Sequence, residues 1–215
     1  MRVIFLGPPG SGKGTQAARL AQQLRLATLS TGDMLRAAVA SGSALGQKVQ
    51  AIMERGDLVS DAIMIDLIRE RLQAEDCAQG FILDGFPRTV AQAQALDALL
   101  QSEGTPLEKV VEFRVDDAML VERICGRFAC AQCGMGYHDT FQKPQQEGVC
   151  DRCGSHEFTR RKDDNAQTVT RRLQAYHSQT APLLPYYRAQ GLLVSIDGMQ
   201  DIDAVFSDLV RVCAQ

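Results

Sequence analysis

VIFLGPPGSGKGT, residues 3–15, decides the fold. Val3-Ile4-Phe5-Leu6 is a continuous apolar run of the kind found in a parallel strand buried on both faces. From Gly14 to Leu24, Ala17, Leu20, Ala21 and Leu24 recur at helical spacing. Gly7 to Thr15 is therefore a glycine-rich turn between a strand and a helix. Such a turn leaves backbone N–H groups unpaired, and with the positive end of the helix dipole they form a nest for phosphate. Lys13 can reach the outer phosphates as a mobile point charge. The stretch nearly spells G-x-x-x-x-G-K-[ST]. Gly7, Gly12 and Lys13 fit, but Gly14 occupies the Ser/Thr place and Thr15 comes one position late. The hydroxyl that usually meets Mg²⁺ is thus displaced. Either Thr15 substitutes, or the ion keeps more of its water, which Mg²⁺ gives up reluctantly.

Short apolar runs recur at Phe81-Ile82-Leu83, Val110 to Phe113 and Leu192 to Ile196, with a weaker one at Ala27-Thr28-Leu29. Helical patterns at 63–72, 90–100 and 117–124 separate them. Strands alternating with helices predict an α/β fold with a parallel sheet covered on both faces. Two stretches break the alternation. Residues 30–59 read as small helices punctuated by Gly32, Gly42, Gly46 and Gly56. Residues 127–164 are rich in Cys, Gly and polar side chains. Both read as inserts on the core, of the kind that serve as lids or clamps.

At 215 residues the chain suits one core carrying small inserts. No apolar run approaches the roughly 20 residues needed to span a bilayer. The chain passes from Arg2 straight into the first strand, so a soluble intracellular, cytoplasmic protein is expected. The formal charge of −3 argues against a nucleic-acid surface and requires any anion site to concentrate positive charge locally.

Candidate anion-binding groups follow the second and third strands. Ser30-Thr31-Gly32-Asp33-Met34-Leu35-Arg36 and Leu83-Asp84-Gly85-Phe86-Pro87-Arg88 each place a carboxylate, a turn and an arginine at a strand end. That is where parallel sheets bind ligands. Arg36 and Arg88 can clamp an anionic group through paired hydrogen bonds. Asp84 and Asp33 are candidate carboxylates for hydrated Mg²⁺, although Asp33 also reads as a helix-start residue after Ser30. Arg123, Arg127, Arg160, Arg161, Arg171 and Arg172 extend the basic set. Phosphoryl transfer needs chiefly that charge developing on the transferred group be held.

GPPGSGKGTQ, STGDMLR, DGFPRT, the Arg123/Arg127 pair and RRKDDNAQTVTRRL resemble, in order and across nearly the whole chain, the adenylate kinases, in particular the bacterial type with a long, metal-containing lid. The resemblance implies a phosphate-loop core with a five-stranded parallel sheet and the reaction Mg·ATP + AMP ⇌ 2 ADP. It further implies a core of 1–29, 60–126 and 165–215, an AMP-binding subdomain at 30–59 and a lid at 127–164. Gly10, Ser11, Gly12, Lys13, Gly14 and Thr15 would bind ATP phosphates. Arg123 and Arg127 would join them from the lid hinge, Gly136 and Tyr137 from the lid, and Met199 beside the adenine through its backbone. Thr31, Arg36, Asp57, Leu58, Val59, Gly85, Phe86, Pro87, Arg88 and Gln92 would form the AMP site, with the Gln92 amide able to read an adenine edge. Lys13, Arg88, Arg123, Arg161 and Arg172 would hold the transferred group. Arg161 and Arg172 are chosen over Arg160 and Arg171 by motif alignment, since only one of each pair need face the site. The AMP phosphate is already ionised, so no general base is required and His138, His156 and His177 are expected to be structural. The resemblance suggests a monomer whose partners are ATP, AMP and ADP.

Cys130-x-x-Cys133 and Cys150-x-x-Cys153, with sixteen residues between the pairs, have the spacing of two knuckles around one tetrahedral ion. A lid of 38 residues with few aliphatics lacks a core of its own, and metal binding would supply folding energy. Four thiolates leave no open coordination position, so the ion would be structural. Zinc is the default, iron and cobalt are alternatives, and His138 is an alternative ligand. Cys77, Cys125 and Cys213 read as small buried hydrophobes. Competing functions are a kinase for UMP, CMP or GMP, a zinc-ribbon binding module, and a plain ATP hydrolase. The ribbon would need a basic aromatic face that the mixed charge here does not supply. Two water-excluding inserts would defeat hydrolysis.

Overall fold

The computed structural model describes residues 1–214. Gln215, the end of the expected core, lies outside the described residues. In chain order the strands are β1 Arg2–Leu6, β2 Ala27–Ser30, β3 Phe81–Asp84, β4 Lys109–Arg114, β5 Arg127–Cys130, β6 Gly136–His138, β7 Phe158–Thr159 and β8 Leu193–Asp197. The α-helices are α1 Lys13–Leu24, α2 Thr31–Ala40, α3 Ala44–Arg55, α4 Asp61–Leu72, α5 Val90–Ser102, α6 Leu120–Cys125, α7 Ala166–Ala175, α8 Leu183–Ala189 and α9 Ile202–Cys213.

Five strands form one sheet in the order β2-β3-β1-β4-β8, with every pairing parallel. Alternation along β1 sends Val3 and Phe5 to one face and Ile4 and Leu6 to the other. All four are 3% exposed or less. Val3 and Phe5 meet Ala17 and Leu20 of α1 and Val205 and Leu209 of α9. Ile4 and Leu6 join a larger cluster with Met64 and Ile68 of α4, Leu96 and Leu100 of α5, and Tyr187 of α8. The continuous apolar runs thus mark strands covered by helices on both faces, as their composition requires. No helix among the described residues is long and apolar enough to cross a membrane.

The stretches that break the β/α alternation fold as separate attachments. Residues 30–59 hold α2 and α3, packed on each other and joined through Gly42 in the left-handed region (φ 66°). Residues 127–159 carry a second, antiparallel sheet in the order β6-β5-β7. Its interior is an aromatic cluster of Phe128, Tyr137 and Phe158 with Cys130, Cys133 and Cys150. The chain leaves the core through α6 and returns through α7, and these two helices pack together.

The core ends of this attachment are bracketed by His138. Its Nε2 lies 3.2 Å from the Glu122 carbonyl of α6, and its Nδ1 accepts the N–H groups of Thr140 (3.0 Å) and Phe141 (3.2 Å). That pattern assigns the proton to Nε2. His138 is therefore engaged away from the cysteines, and the reading of it as an alternative metal ligand does not hold.

Candidate active site

The C-terminal ends of β1, β2 and β3 lie side by side, so the three loops that follow them converge. After β1 the chain turns through Gly10 (φ 83°) and Gly12 (φ 89°), and Gly12 caps α1 in the left-handed conformation. A Cβ at Gly10 would stand 2.7 Å from Ile124 Cγ1 of α6, so only glycine fits there. The Lys13 ammonium donates to the Gly7 and Pro8 carbonyls (2.7 Å each) and to Ser11 Oγ (3.1 Å). Burial lowers its pKa to about 8; Asp84 opposes the shift, and Arg88, Arg172 and Arg127 add to it.

Gly14, the departure from the usual loop, now has a physical reason. A Cβ there would lie 3.2 Å from Asp84 Oδ2 at the end of β3. The missing side chain leaves space for a carboxylate against the first turn of α1. Asp84 and the nearby Thr15 are oxygen ligands of the type that hydrated Mg²⁺ takes, so the donor set fits that ion.

A pocket next to this loop is lined by Thr31, Arg36, Asp57, Leu58, Val59, Gly85, Arg88, Gln92 and Arg172, together with Asp163. Nine residues assigned to nucleotide contacts by motif are thereby brought to one place. Thr31 Oγ1 donates to the Gly85 carbonyl (2.8 Å), and Arg88 Nε donates to the same oxygen (2.7 Å). Phe86 is 1% exposed and packs in the core, and neither it nor Pro87 lines the pocket. These two residues lie in the turn between Gly85 and Arg88.

Adjacent arginines point to different partners. Arg161 reaches Asp33 of α2 (3.2 Å), whereas Arg160 pairs with Asp139 and lies over the Phe128 ring. Arg172 lines the pocket and pairs with Asp163 (3.0 Å) and Asp164 (3.4 Å), whereas Arg171 is exposed. Burial lowers the pKa values of Arg88, Arg161 and Arg172, that of Arg161 to about 10, and neighbouring cations add to each shift. Arg88 and Arg172 are half-buried and Arg161 is exposed at the rim, and mutually repelling cations gathered in this way suit an anion.

Asp33 does not stand free for a metal. Its carboxylate accepts from Arg36 (2.6 Å) and Arg161, and its N–H is capped by Ser30 Oγ (3.4 Å). Burial acts against its ionisation, yet the hydrogen bond and charge of Arg36 hold it below the ordinary carboxylate range. Two further carboxylates escaped the sequence reading. Asp164, with a side chain only 2% exposed, takes a two-point hydrogen bond from Arg127, and Asp163 steadies Arg172. Their signal was present in the Asp-Asp pair beside the arginines of RRKDDNAQ. Arg123 donates to the Gly198 carbonyl (3.2 Å), and the Met199 N–H is used by Asp197 (2.9 Å). Any base contact at Met199 therefore falls to its carbonyl.

The Tyr137 ring is turned away from solvent. Its side chain is 3% exposed and points into the attachment, where its hydroxyl donates to Cys150 Sγ (3.5 Å) and accepts the Asp151 N–H (2.8 Å). A nucleotide at Gly136-Tyr137 could meet only backbone there, because alternation along β6 turns the ring inward.

The four cysteine sulfurs lie within 4.8 Å of one another, with Cys130–Cys153 at 3.6 Å and Cys133–Cys150 at 3.5 Å. Tetrahedral thiolates around zinc, at Zn–S of about 2.3 Å, stand ~3.8 Å apart, so the set fits one ion. All seven cysteines are free. The Tyr137 hydrogen bond lowers the Cys150 pKa to about 6. Of the rest, Cys77 is buried as expected, whereas Cys125 and Cys213 are only half-buried.

A family model described as adenylate kinase matches residues 5–192. The chain belongs to the adenylate kinase family. It is 61% identical over 202 residues to the adenylate kinase of Paramagnetospirillum magneticum, covering 94% of this chain and 93% of that relative. It is 54% identical over 215 residues to the adenylate kinase of Rhizobium rhizogenes, covering both chains completely. The adenylate kinase of Magnetococcus marinus is 51% identical over 212 residues, 99% of each chain.

Proposed function

We propose that this family member catalyses the reversible transfer of a phosphoryl group from ATP to AMP, giving two ADP. One observation carries the assignment of roles. The phosphate loop after β1, with Lys13 in electrostatic reach of Arg88 and Arg172, neighbours a pocket where Thr31 and Arg36 arrive after β2, Arg88 and Gln92 after β3, and Arg172 from α7. ATP phosphates would lie on the amides of Gly10 to Thr15, with Lys13 leaving its own loop carbonyls for them. Arg36 and Arg88 would hold the AMP phosphate. Arg88, Arg123, Arg161 and Arg172 would surround the transferred group, and Arg127 would steady the ATP side from the hinge.

The AMP phosphate, with a second pKa near about 6, is ionised at neutral pH, so its oxygen attacks in line without losing a proton. Mg²⁺, when bound with ATP, neutralises phosphate charge, and Asp84 and Thr15 are the groups that would hold it through oxygen or water. Residues 30–59 would act as the AMP-binding subdomain and 127–164 as a lid, on a core of 1–29, 60–126 and 165–215. Zinc on Cys130, Cys133, Cys150 and Cys153 would stiffen that lid. Free thiols and a thiolate metal site suit a reducing compartment, and we assign the protein to the cytoplasm as a monomer.

A coupled assay with ATP and, in turn, AMP, CMP, UMP and GMP tests the reading. ADP formation dependent on AMP supports it, and a preference for another monophosphate or hydrolysis of ATP alone removes it.

A further inference from the structure

Gln92 sits in the first turn of α5, 1% exposed, on the wall of the monophosphate pocket. Both ends of its amide are engaged. Oε1 accepts the Arg88 backbone N–H at 2.7 Å, and Nε2 donates to Asp61 Oδ1 at 2.8 Å. Turning the amide by 180° would set donor against donor at Arg88 and acceptor against acceptor at Asp61. Groups mismatched and shut away from water are costly. One orientation is therefore enforced from two sides.

Asp61 is itself held in place. Its Oδ2 accepts from Thr89 Oγ1 at 3.2 Å, and it opens α4, where the positive helix end favours a carboxylate. Thr89 Oγ1 closes the circuit by accepting the Gln92 N–H at 3.2 Å.

An amide pinned in this way keeps one lone pair on Oε1 and one hydrogen on Nε2 side by side. Adenine shows a donor at N6 next to an acceptor ring nitrogen, whereas a 6-oxopurine carries an acceptor at position 6. The fixed amide matches the first pattern and opposes the second. Only the turned amide would suit O6.

We infer that Asp61 is a specificity-determining positioning residue. By fixing the direction of the Gln92 amide, it selects 6-aminopurine over 6-oxopurine monophosphates. This rests on the reading of Gln92 as a base contact and adds the group that sets its sense. Asp61 touches neither substrate nor phosphate in this scheme and acts through Gln92 alone.

The test is kcat/KM for AMP and for inosine monophosphate, with ATP as donor, in the parent protein, Asp61→Ala and Asp61→Asn. In Asp61→Ala the amide is free to turn, and the AMP-to-inosine-monophosphate ratio should fall by about tenfold or more. KM for AMP rises, KM for inosine monophosphate falls, and KM for ATP stays where it was. Asp61→Asn still offers a carbonyl to Nε2 and should keep the parent's preference. Asp61→Ser retains a polar helix start but is too short to reach Gln92, and it gives the same reading if Asp61→Ala folds poorly. Losses in kcat/KM that are equal for the two monophosphates would mean that Asp61 is merely structural, and would overturn the inference while leaving the kinase assignment standing. A parent protein that does not use AMP would overturn the kinase assignment, and this inference with it.

Discussion

Replacing Tyr137 with Phe removes one oxygen from the interior of the 127–159 attachment and leaves its packing in place. The ring would remain stacked on Phe128 (centroids 5.6 Å, 24° between planes) and edge-on to Phe158 (5.7 Å). The hydroxyl's two hydrogen bonds are lost. Asp151 is exposed, so water can take over its N–H at little cost. The bond to Cys150 Sγ has no such replacement, because Tyr137 and Cys150 are both buried. A hydrogen bond to a charged acceptor contributes about 1.5–3 kcal/mol, and the thiolate is the form that binds metal. At about 1.4 kcal/mol per factor of ten, the predicted loss of metal affinity is roughly ten- to a hundredfold, the range expected for partners that orient metal ligands. Competition between the metal-loaded protein and a chromogenic chelator measures this directly. Unaltered affinity in a folded Tyr137→Phe protein would refute the link between the hydroxyl and the metal site.

Lys13→Met and Arg88→Gly should each lower turnover by about 10²–10³-fold with the circular dichroism spectrum unchanged, since in the proposed reaction each would remove a positive charge that holds the transferred group. Removing the metal proposed on the four cysteines with a strong chelator, with loss confirmed by elemental analysis, should lower the melting temperature before it affects the chemistry. The lowered pKa of Lys13 carries a signed pH prediction. Without nucleotide, this group with a pKa of about 8 is largely neutral at pH 9. Phosphate favours its charged form, so ATP binding should take up a proton above about pH 8 and little at pH 7. Calorimetry in two buffers of different ionisation heat reads that uptake, which should vanish in Lys13→Met.

Much of the fold was legible because the strong signals were local. The runs at 3–6, 81–83 and 110–113 are apolar at consecutive positions, which a strand buried on both faces demands and an exposed one forbids. The phosphate loop and the Cys-x-x-Cys pairs carry their geometry in their spacing. The less legible parts are those where a side chain's direction or a distant partner decides. The resemblance puts Tyr137 in a nucleotide-contact motif, but alternation along β6 turns its ring toward Cys150. Arg160 and Arg161 part in the loop after β7, one to Asp139 and the other to Asp33, and Arg171 and Arg172 part because helical neighbours differ by about 100°. Asp33 reads from sequence as a metal carboxylate, but Arg36 and Arg161 occupy it. The hold of Asp61 on Gln92 joins residues 31 positions apart, which no periodicity records.

In the proposed reaction two nucleotides meet phosphate to phosphate, one on the amides of Gly10 to Thr15 and the other beneath Arg36 and Arg88. Titration calorimetry with two adenosines joined through five phosphates tests it most directly. One molecule should bind per chain, displace both ATP and AMP, and lose affinity in both Lys13→Met and Arg88→Gly. Binding that displaces only ATP, or that is indifferent to Arg88→Gly, would contradict the account.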